Sequence, residues 1–412
     1  MSRITSVVTA LIAVTVLVSV APAAQSPSKD VNVVDLSFYQ ASTTTAAYPL
    51  TRNAQVRNVI VCIGDGMGLG QITLASLKAA GLEGRLAMER MPVTGVVRTH
   101  SASSRVTDSA AAGTALASGI KTNNGMIGMA PDETPYITIL EAARARGMAT
   151  GLVATSTITH ATPASFAAHV KSRKGEEQIA EQLIANRVNV LFGGGRRYFL
   201  PKSSDPNTGR TDDRNLVAEA RDAGYTYVTT EAELQSAEHP YMLGLFQFDA
   251  LTTASDEPPL AILTQKAIQV LSQVKRKPPF PLFRPKAGFF LMVEGSQIDW
   301  ACHDNDVRNT IRQTLLFDQA VQAAVDFALR DGHTLVVVTA DHETGGLTFT
   351  EAARRRTDPT PHWGTKGHTG LPVFIGALGP GAGLFAGVQD NTEIPSKIAS
   401  LLKIKPFPRP AQ

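Results

Sequence analysis

N-V-I-V-C-I-G-D-G-M-G-L-G, residues 58 to 70, is the stretch from which the rest of the chain is read. A short apolar, β-branched run ends in a glycine-rich turn, whose backbone freedom allows a sharp bend into a following helix. An apolar strand feeding such a turn is the opening of a doubly wound α/β unit, with the strand buried in a parallel sheet. The alternation recurs. A-T-G-L-V-A-T (149 to 155) follows a helical stretch at 137 to 146, and V-N-V-L-F (188 to 192) follows another at 176 to 185. G-F-F-L-M-V (288 to 293) and H-T-L-V-V-V-T-A (333 to 340) come later, the second after an amphipathic run from Asn309 to Leu329. The pattern predicts an α/β fold: a doubly wound, mostly parallel central sheet with helices on both faces. L-P-V-F-I-G-A (371 to 377) reads as a last strand and residues 394 to 402 as a closing helix. Residues 196 to 285, more polar and rich in proline, read as surface loops and short helices inserted into the same domain. One domain over 58 to 405 is expected, with a tail at 406 to 412 that frays.

Composition sets the class of protein. The 412 residues, 43% hydrophobic and 18% charged, can bury a large core. A net charge of +3 from scattered basic residues excludes nucleic acid as a partner. Residues 1 to 24 place Arg3 before an apolar run from Val7 to Val20 and then A-P-A-A, the layout of a secretory signal peptide cleaved after Ala23 or Ala24. No later segment is apolar for the ~20 residues a membrane span needs. Neither an Arg-Arg pair nor a cysteine at the cleavage site points to twin-arginine export or a lipid anchor. The expected location is therefore the periplasm or the exterior, by Sec-type export. Residues 25 to 57, without sustained period, read as an N-terminal arm lying on a partner subunit or on the domain surface. Cys62 and Cys302, outside any C-x-x-C spacing, read as two free thiols.

The chemistry sits where this fold places it. Ligands of open α/β sheets bind at the carboxyl ends of strands. Asp65 follows the first strand, Glu294 follows F-F-L-M-V, and Asp341 with His342 follows L-V-V-V-T-A. Asp299 and His303, four apart in D-W-A-C-H, can aim at one point from one helical turn, and His368 lies in K-G-H-T-G. Carboxylates with neutral imidazoles suit Zn²⁺, and two sets of three ligands leave each ion an open position. Two metals roughly 3.5 to 4 Å apart clamp the attacking and leaving oxygens of an in-line displacement. In R-V-T-D-S-A-A-A-G-T-A-L-A-S-G (105 to 119), Ser109 opens an alanine-rich helix, where the free N–H groups favour an anion.

Together, I-G-D-G-M-G, V-T-D-S-A-A-A-G-T-A-L-A-S-G, H-A-T-P-A, A-A-H-V-K-S-R-K, M-V-E-G-S-Q-I-D-W-A-C-H, T-A-D-H-E-T-G-G and G-H-T-G resemble the alkaline phosphatase family. The blocks run in family order from about residue 58 to 377. The resemblance implies hydrolysis of phosphate monoesters with Ser109 as the nucleophile that becomes phosphorylated. It implies one Zn²⁺ on Asp299, His303 and His368, a second on Asp65, Asp341 and His342, and Mg²⁺ on Asp65, Thr162 and Glu294. It gives Arg173 the non-bridging phosphate oxygens, with Asp108 orienting it, and it implies a homodimer. Two positions depart from the best-studied bacterial pattern: His160 replaces an aspartate and Trp300 a lysine, which puts the Mg²⁺ preference of the third site in question. The loop from Gly346 to His368 is short, so no crown-like subdomain is expected. The alternatives are a phosphodiesterase or sulfatase of the same superfamily, or a secreted metal-binding protein without turnover. The C/S-x-P-x-R motif of sulfatases is missing from the chain.

Overall fold

All seven residues of Asn58–Gly64 (β1) are buried, which a strand achieves only with strands on both edges and layers on both faces. The computed structural model describes residues 34–42, 44–51, 54–253, 256–274, 288–352 and 359–411, so the predicted signal peptide at 1 to 24 lies outside the described residues. From β1 the chain enters α1 (Leu69–Ala80), β2 (Val93–Arg98), α2 (Ser109–Ser118), α3 (Ile139–Ala145), β3 (Ala149–Thr157), the one-turn α4 (Ala161–Ala164), α5 (Glu176–Ala185) and β4 (Val190–Gly194). There follow α6 (Leu216–Asp222), β5 (Thr226–Val228), α7 (Glu231–Ser236), β6 (Met242–Leu245) and α8 (Leu260–Gln273). Next come β7 (Phe289–Gly295), α9 (Gln297–His303), α10 (Val307–Asp331) and β8 (Thr334–Thr339). The short strands β9 (Glu343–Thr344), β10 (Thr348–Ala352), β11 (Pro359–His362) and β12 (His368–Thr369) precede β13 (Val373–Leu378), β14 (Gly387–Asp390) and α11 (Glu393–Leu401).

Ten strands form one sheet in the order β14-β2-β13-β8-β1-β7-β3-β4-β6-β5. Among the described residues only β13 runs against the rest, antiparallel to both β2 and β8. The predicted fold class is the one observed. Two neighbouring residues of β7 explain the double cover. Successive strand side chains point to opposite faces, and Phe289 meets Phe327 of α10 at 5.7 Å between ring centroids while Phe290 meets Phe166, beyond α4, at 6.0 Å. Helices α8 and α10 cover one face, and α3 and α4 the other. Each phenylalanine contributes about 1.5–3 kcal/mol by leaving water.

Two expectations need correction. Residues 196 to 285 are more than surface loops: β5 and β6 lengthen the sheet, and α8 buries Leu263, Ala267 and Leu271 against it. The strands are too short for a period of two to stand out, and α8 follows the proline pair that read as a breaker. The 406 to 412 tail is docked: Ile137 N–H donates to Arg409 O at 3.0 Å and Ala411 N–H to Pro135 O at 2.8 Å, so backbone pairing holds a segment whose composition suggested fraying. The antiparallel β2–β13 pair is a further element that the βα alternation did not announce. Both cysteines are free and buried.

Of the arm, residues 34 to 42 and 44 to 51 lie on α10 of the same chain. Tyr39 Oη donates to Asp318 Oδ2 at 2.7 Å and Tyr48 Oη to Gln322 Oε1 at 2.8 Å, one helical turn apart. Asp318 is buried and also accepts the Ala87 and Met88 N–H groups, each at 2.9 Å. No helix among the described residues is long and apolar enough to cross a membrane.

Candidate active site

β8, β1 and β7 lie side by side, with Ile63 opposite Thr339 on one flank and Glu294 on the other. Asp65 therefore leaves β1 at the level where Glu294 closes β7 and where Asp341 and His342 leave β8, the carboxyl edge of the sheet. The turn after β1 requires glycine. Gly66 has φ +72°, and a Cβ there would sit 2.8 Å from the Asp299 Cα. The close approach brings α9, with Asp299 and His303 one turn apart, against the strand end. His368 arrives from farther along the chain. β12 pairs with β9 so that His368 lies opposite Thr344, and its ring stacks on His342 with centroids 3.6 Å apart and planes at 20°.

Ser109 is buried as the first residue of α2, and the Asp108 carboxylate caps that helix by accepting the Ala111 N–H at 3.0 Å. Ser109 Oγ lies 3.2 Å from His342 Nε2. The same nitrogen is 3.4 Å from Asp65 Oδ1 and 3.2 Å from Asp341 Oδ2. Alongside, Asp299 Oδ2 is 3.3 Å from His303 Nε2, Asp299 Oδ1 is 3.5 Å from His368 Nε2, and the two imidazole nitrogens are 3.2 Å apart. Both rings present their Nδ1 to backbone carbonyls, His303 to Lys366 O and His368 to Thr107 O. A carbonyl only accepts, so Nδ1 carries the hydrogen and each Nε2 offers a lone pair to the centre.

Two lone pairs facing each other next to carboxylates call for a cation between them. The unpartnered atoms say the same: both Asp65 oxygens, Glu294 Oε1, Asp341 Oδ2 and Thr162 Oγ1 are buried without a hydrogen-bond partner, a condition folded proteins rarely tolerate. Among the described residues, three sets of donor atoms lie within 4.8 Å of one another: Asp299 with His303 and His368, Asp65 with Asp299 and His342, and Asp65 with His160 and Glu294. The residues present thus fit metal ions. Asp299 is close enough to join Asp65 and His342, where the family resemblance implied Asp341; the free oxygen of Asp341 faces the same imidazole.

Burial pushes the Asp65 carboxyl well above the usual carboxylate range, with Asp341 adding to the effect. Burial likewise raises Glu294 to about 7 and Asp341 to about 6. It holds His342 down, to about 4, and so neutral. In the absence of a metal the Asp299 carboxylate, accepting from the protonated ring, lifts His303 to about 9. For Asp299 burial acts upward but is outweighed by His303, His342 and His368, which hold it below the ordinary range. Without a counter-ion these carboxylates resist ionising together.

Arg173 stands at the mouth. One guanidinium nitrogen donates to Asp108 Oδ2 at 3.2 Å and the other lies 3.1 Å from His160 Nε2. Asp108 Oδ2 also accepts the Gly125 N–H at 3.0 Å. Burial, with the Arg173 charge second, depresses His160 to about 3, so the ring is neutral and accepts from the guanidinium. Trp300 meets the His160 ring edge-on at 6.0 Å. The fold thus gathers Ser109, Arg173, Asp108, Asp65, Asp341, His342, Asp299, His303, His368, Glu294, His160 and Trp300 in one contiguous group, and Thr162 lies in α4, two residues after His160. Sequence reasoning overlooked Thr344, whose hydroxyl donates to Asp299 Oδ1. It lies two residues after His342 in T-A-D-H-E-T-G-G, so a signal was present. The Thr107 and Lys366 carbonyls had none, being backbone.

Comparison with known proteins identifies the family. The family model for alkaline phosphatase matches residues 56–359. Alkaline phosphatase 4 of Bacillus subtilis is 44% identical over 72% of this chain, and the match spans 63% of that protein's length. Alkaline phosphatase 3 of the same organism is 36% identical, covering 85% of this chain and 89% of its own. The structure of alkaline phosphatase from the Antarctic bacterium TAB5 superposes with a TM-score of 0.75 at 36% identity, over 87% of this chain and 100% of that one. A histidine-to-aspartate variant of that enzyme was solved with Mg bound in its M3 site. With a matched region that runs from β1 into β11 and holds every one of the clustered acids, this chain belongs to the alkaline phosphatase family.

Proposed function

We propose that this enzyme, a phosphoric monoester hydrolase by family, works through a phosphoserine formed on Ser109. In this reading Zn²⁺ is held by Asp299, His303 and His368, a second Zn²⁺ by Asp65, Asp341 and His342, and Mg²⁺ by Asp65, Thr162 and Glu294. Bound there, such ions lower the serine pKa and neutralise charge on the attacking and leaving oxygens. The chain's own residues do the rest. Arg173, fixed by Asp108, offers a planar fork to two non-bridging oxygens, which a lysine could not match. The N–H groups at the start of α2 face the same phosphate. Ser109 Oγ attacks phosphorus in line and the alcohol departs; water then attacks the phosphoserine, releasing phosphate and restoring the hydroxyl.

The observation that carries this reading is the clustering of unpartnered buried oxygens beside His342, the neighbour of Ser109 Oγ. The experiment is a parallel assay of monoester, diester and sulfate ester substrates with bound metals quantified. The monoester is expected to be preferred by at least ~10³ in kcat/KM, because both metal clusters and Arg173 are built for a dianionic phosphoryl group. A preference for the diester would overturn the substrate class.

His160 adjoins Asp65 and Glu294 without adding negative charge, so the third site is weaker for Mg²⁺ than a carboxylate would make it and is open to Zn²⁺. The Mg-bound variant of the TAB5 enzyme supports this. His160→Asp is expected to tighten Mg²⁺ binding about 10-fold or more in calorimetric titration of stripped protein. Equal affinity in the two proteins would remove the idea. Export to the periplasm or exterior, on the signal-peptide layout of residues 1 to 24, and a homodimer, on family grounds, complete the reading. N-terminal sequencing of the mature protein and sedimentation velocity test them.

A further inference from the structure

One carboxylate behind Arg173 ties together three segments that the catalytic reading leaves unexplained. Glu176, the first residue of α5, follows Arg173 by three positions across a tight turn in which Gly175 N–H donates to Ser172 O at 3.0 Å. Its Oε2 accepts from Thr157 Oγ1 at 2.7 Å and from Thr159 Oγ1 at 2.6 Å, and its Oε1 accepts from Tyr198 Oη at 3.0 Å. Thr157 ends β3, Thr159 directly precedes His160, and Tyr198 closes the turn after β4. The last two segments are tightly apposed: at Gly195, φ +90°, a Cβ would lie 2.8 Å from the Thr157 Cβ. The 157–160 turn is closed by His160 N–H donating to Thr157 O at 2.9 Å, so anchoring its threonines fixes the imidazole. That imidazole takes one of the two guanidinium contacts of Arg173.

We propose that Glu176 is a positioning residue for phosphate binding: it braces the turn that carries His160 against the helix that follows Arg173, and so sets the direction of the guanidinium fork. The inference rests on the reading of Arg173 as the phosphate clamp. An acid in the first turn also favours any helix N-terminus, but that role requires no hydroxyl partners. The adjacent Glu177, equally placed for the dipole, turns instead to Thr211. Three hydroxyl donors from two separate segments are what a brace needs.

The test compares Glu176→Ala and Glu176→Gln, each alone and combined with Arg173→Ala. It reads the inhibition constant of inorganic phosphate, KM and kcat for p-nitrophenyl phosphate, metal content and melting temperature. Glu176→Ala is expected to raise the phosphate constant and KM about 10-fold at unchanged metal content. Glu176→Gln, keeping one acceptor oxygen, recovers part of the loss. Added to Arg173→Ala, the Glu176 change costs less than about twofold, since both act on one contact. An unchanged phosphate constant in folded Glu176→Ala, or losses that multiply in the double variant, would overturn the proposal. Should Glu176→Ala fail to fold, Thr159→Val and Tyr198→Phe each remove one donor and carry the same expectation at smaller size. If Arg173→Ala itself leaves phosphate inhibition unchanged, the clamp reading fails; if only the Glu176 variants leave it unchanged, the brace alone fails.

Discussion

Ser109→Ala is expected to lower kcat for p-nitrophenyl phosphate by about 10³-fold or more, with metal content and melting temperature held. The physical ground is local. Ser109 Oγ is buried at the N-terminus of α2 and has His342 Nε2 as its neighbour at 3.2 Å. Removing one oxygen from a helix start costs little packing, while it deletes the atom that would form the ester. The residual rate would come from water attacking a phosphate still held by Arg173 and the metal clusters, as triad-deleted hydrolases retain rate from binding alone. A second measurement separates chemistry from folding: brief incubation with labelled phosphate at low pH followed by acid quench should label the parent enzyme at Ser109 and leave the variant unlabelled. Retention of full activity by Ser109→Ala would end the phosphoserine mechanism.

Stripping metals with a chelator should abolish turnover and lower the melting temperature by about 5 °C or more, both restored by Zn²⁺ with Mg²⁺. Asp65, Glu294, Asp341 and Asp299 share one buried region, and without cations they repel each other. The sign of the pH dependence follows from their shifts. Asp65 is raised well above its ordinary value, Glu294 to about 7 and Asp341 to about 6. A carboxyl raised in the folded state favours folding when protonated, below its unfolded value, and that contribution is lost as pH climbs through the folded value. The stripped protein should therefore weaken between about pH 4 and pH 7, while the loaded protein does not. The gap in melting temperature widens as pH rises. A gap that stays constant or narrows over this window would show that the acids are not the source.

Much of the fold was legible because β1, β3, β7 and β8 are apolar runs, and because the helical stretches that precede β3 and β8 show a clear period. The short β5 and β6 escaped since three or four residues cannot display alternation, and the reversed direction of β13, though not the strand itself, escaped because pairing direction is a tertiary choice. The site was legible for a different reason. Its residues fall at strand ends or within one helical turn, as with Asp65, Glu294 and Asp299 with His303, so local spacing and sheet topology together imply convergence. Glu176 had no such mark: its partners Thr157, Thr159 and Tyr198 are ordinary loop residues in sequence, and only the fold brings them to one carboxylate. The position of Asp299 between two clusters is likewise a matter of side-chain reach rather than of pattern.

The two-residue ladder of β9 with β12 has a bearing on how such enzymes diversify. It fastens the base of the excursion between Thr344 and His368, so the imidazole is placed by two backbone partners and a ring stack rather than by the course of the intervening chain. Because the entropy of closing a loop grows only logarithmically with its length, segments of very different size can be spliced above that fastening at small thermodynamic cost. The length of the chain between the two strands is thereby free to vary while the imidazole keeps its place.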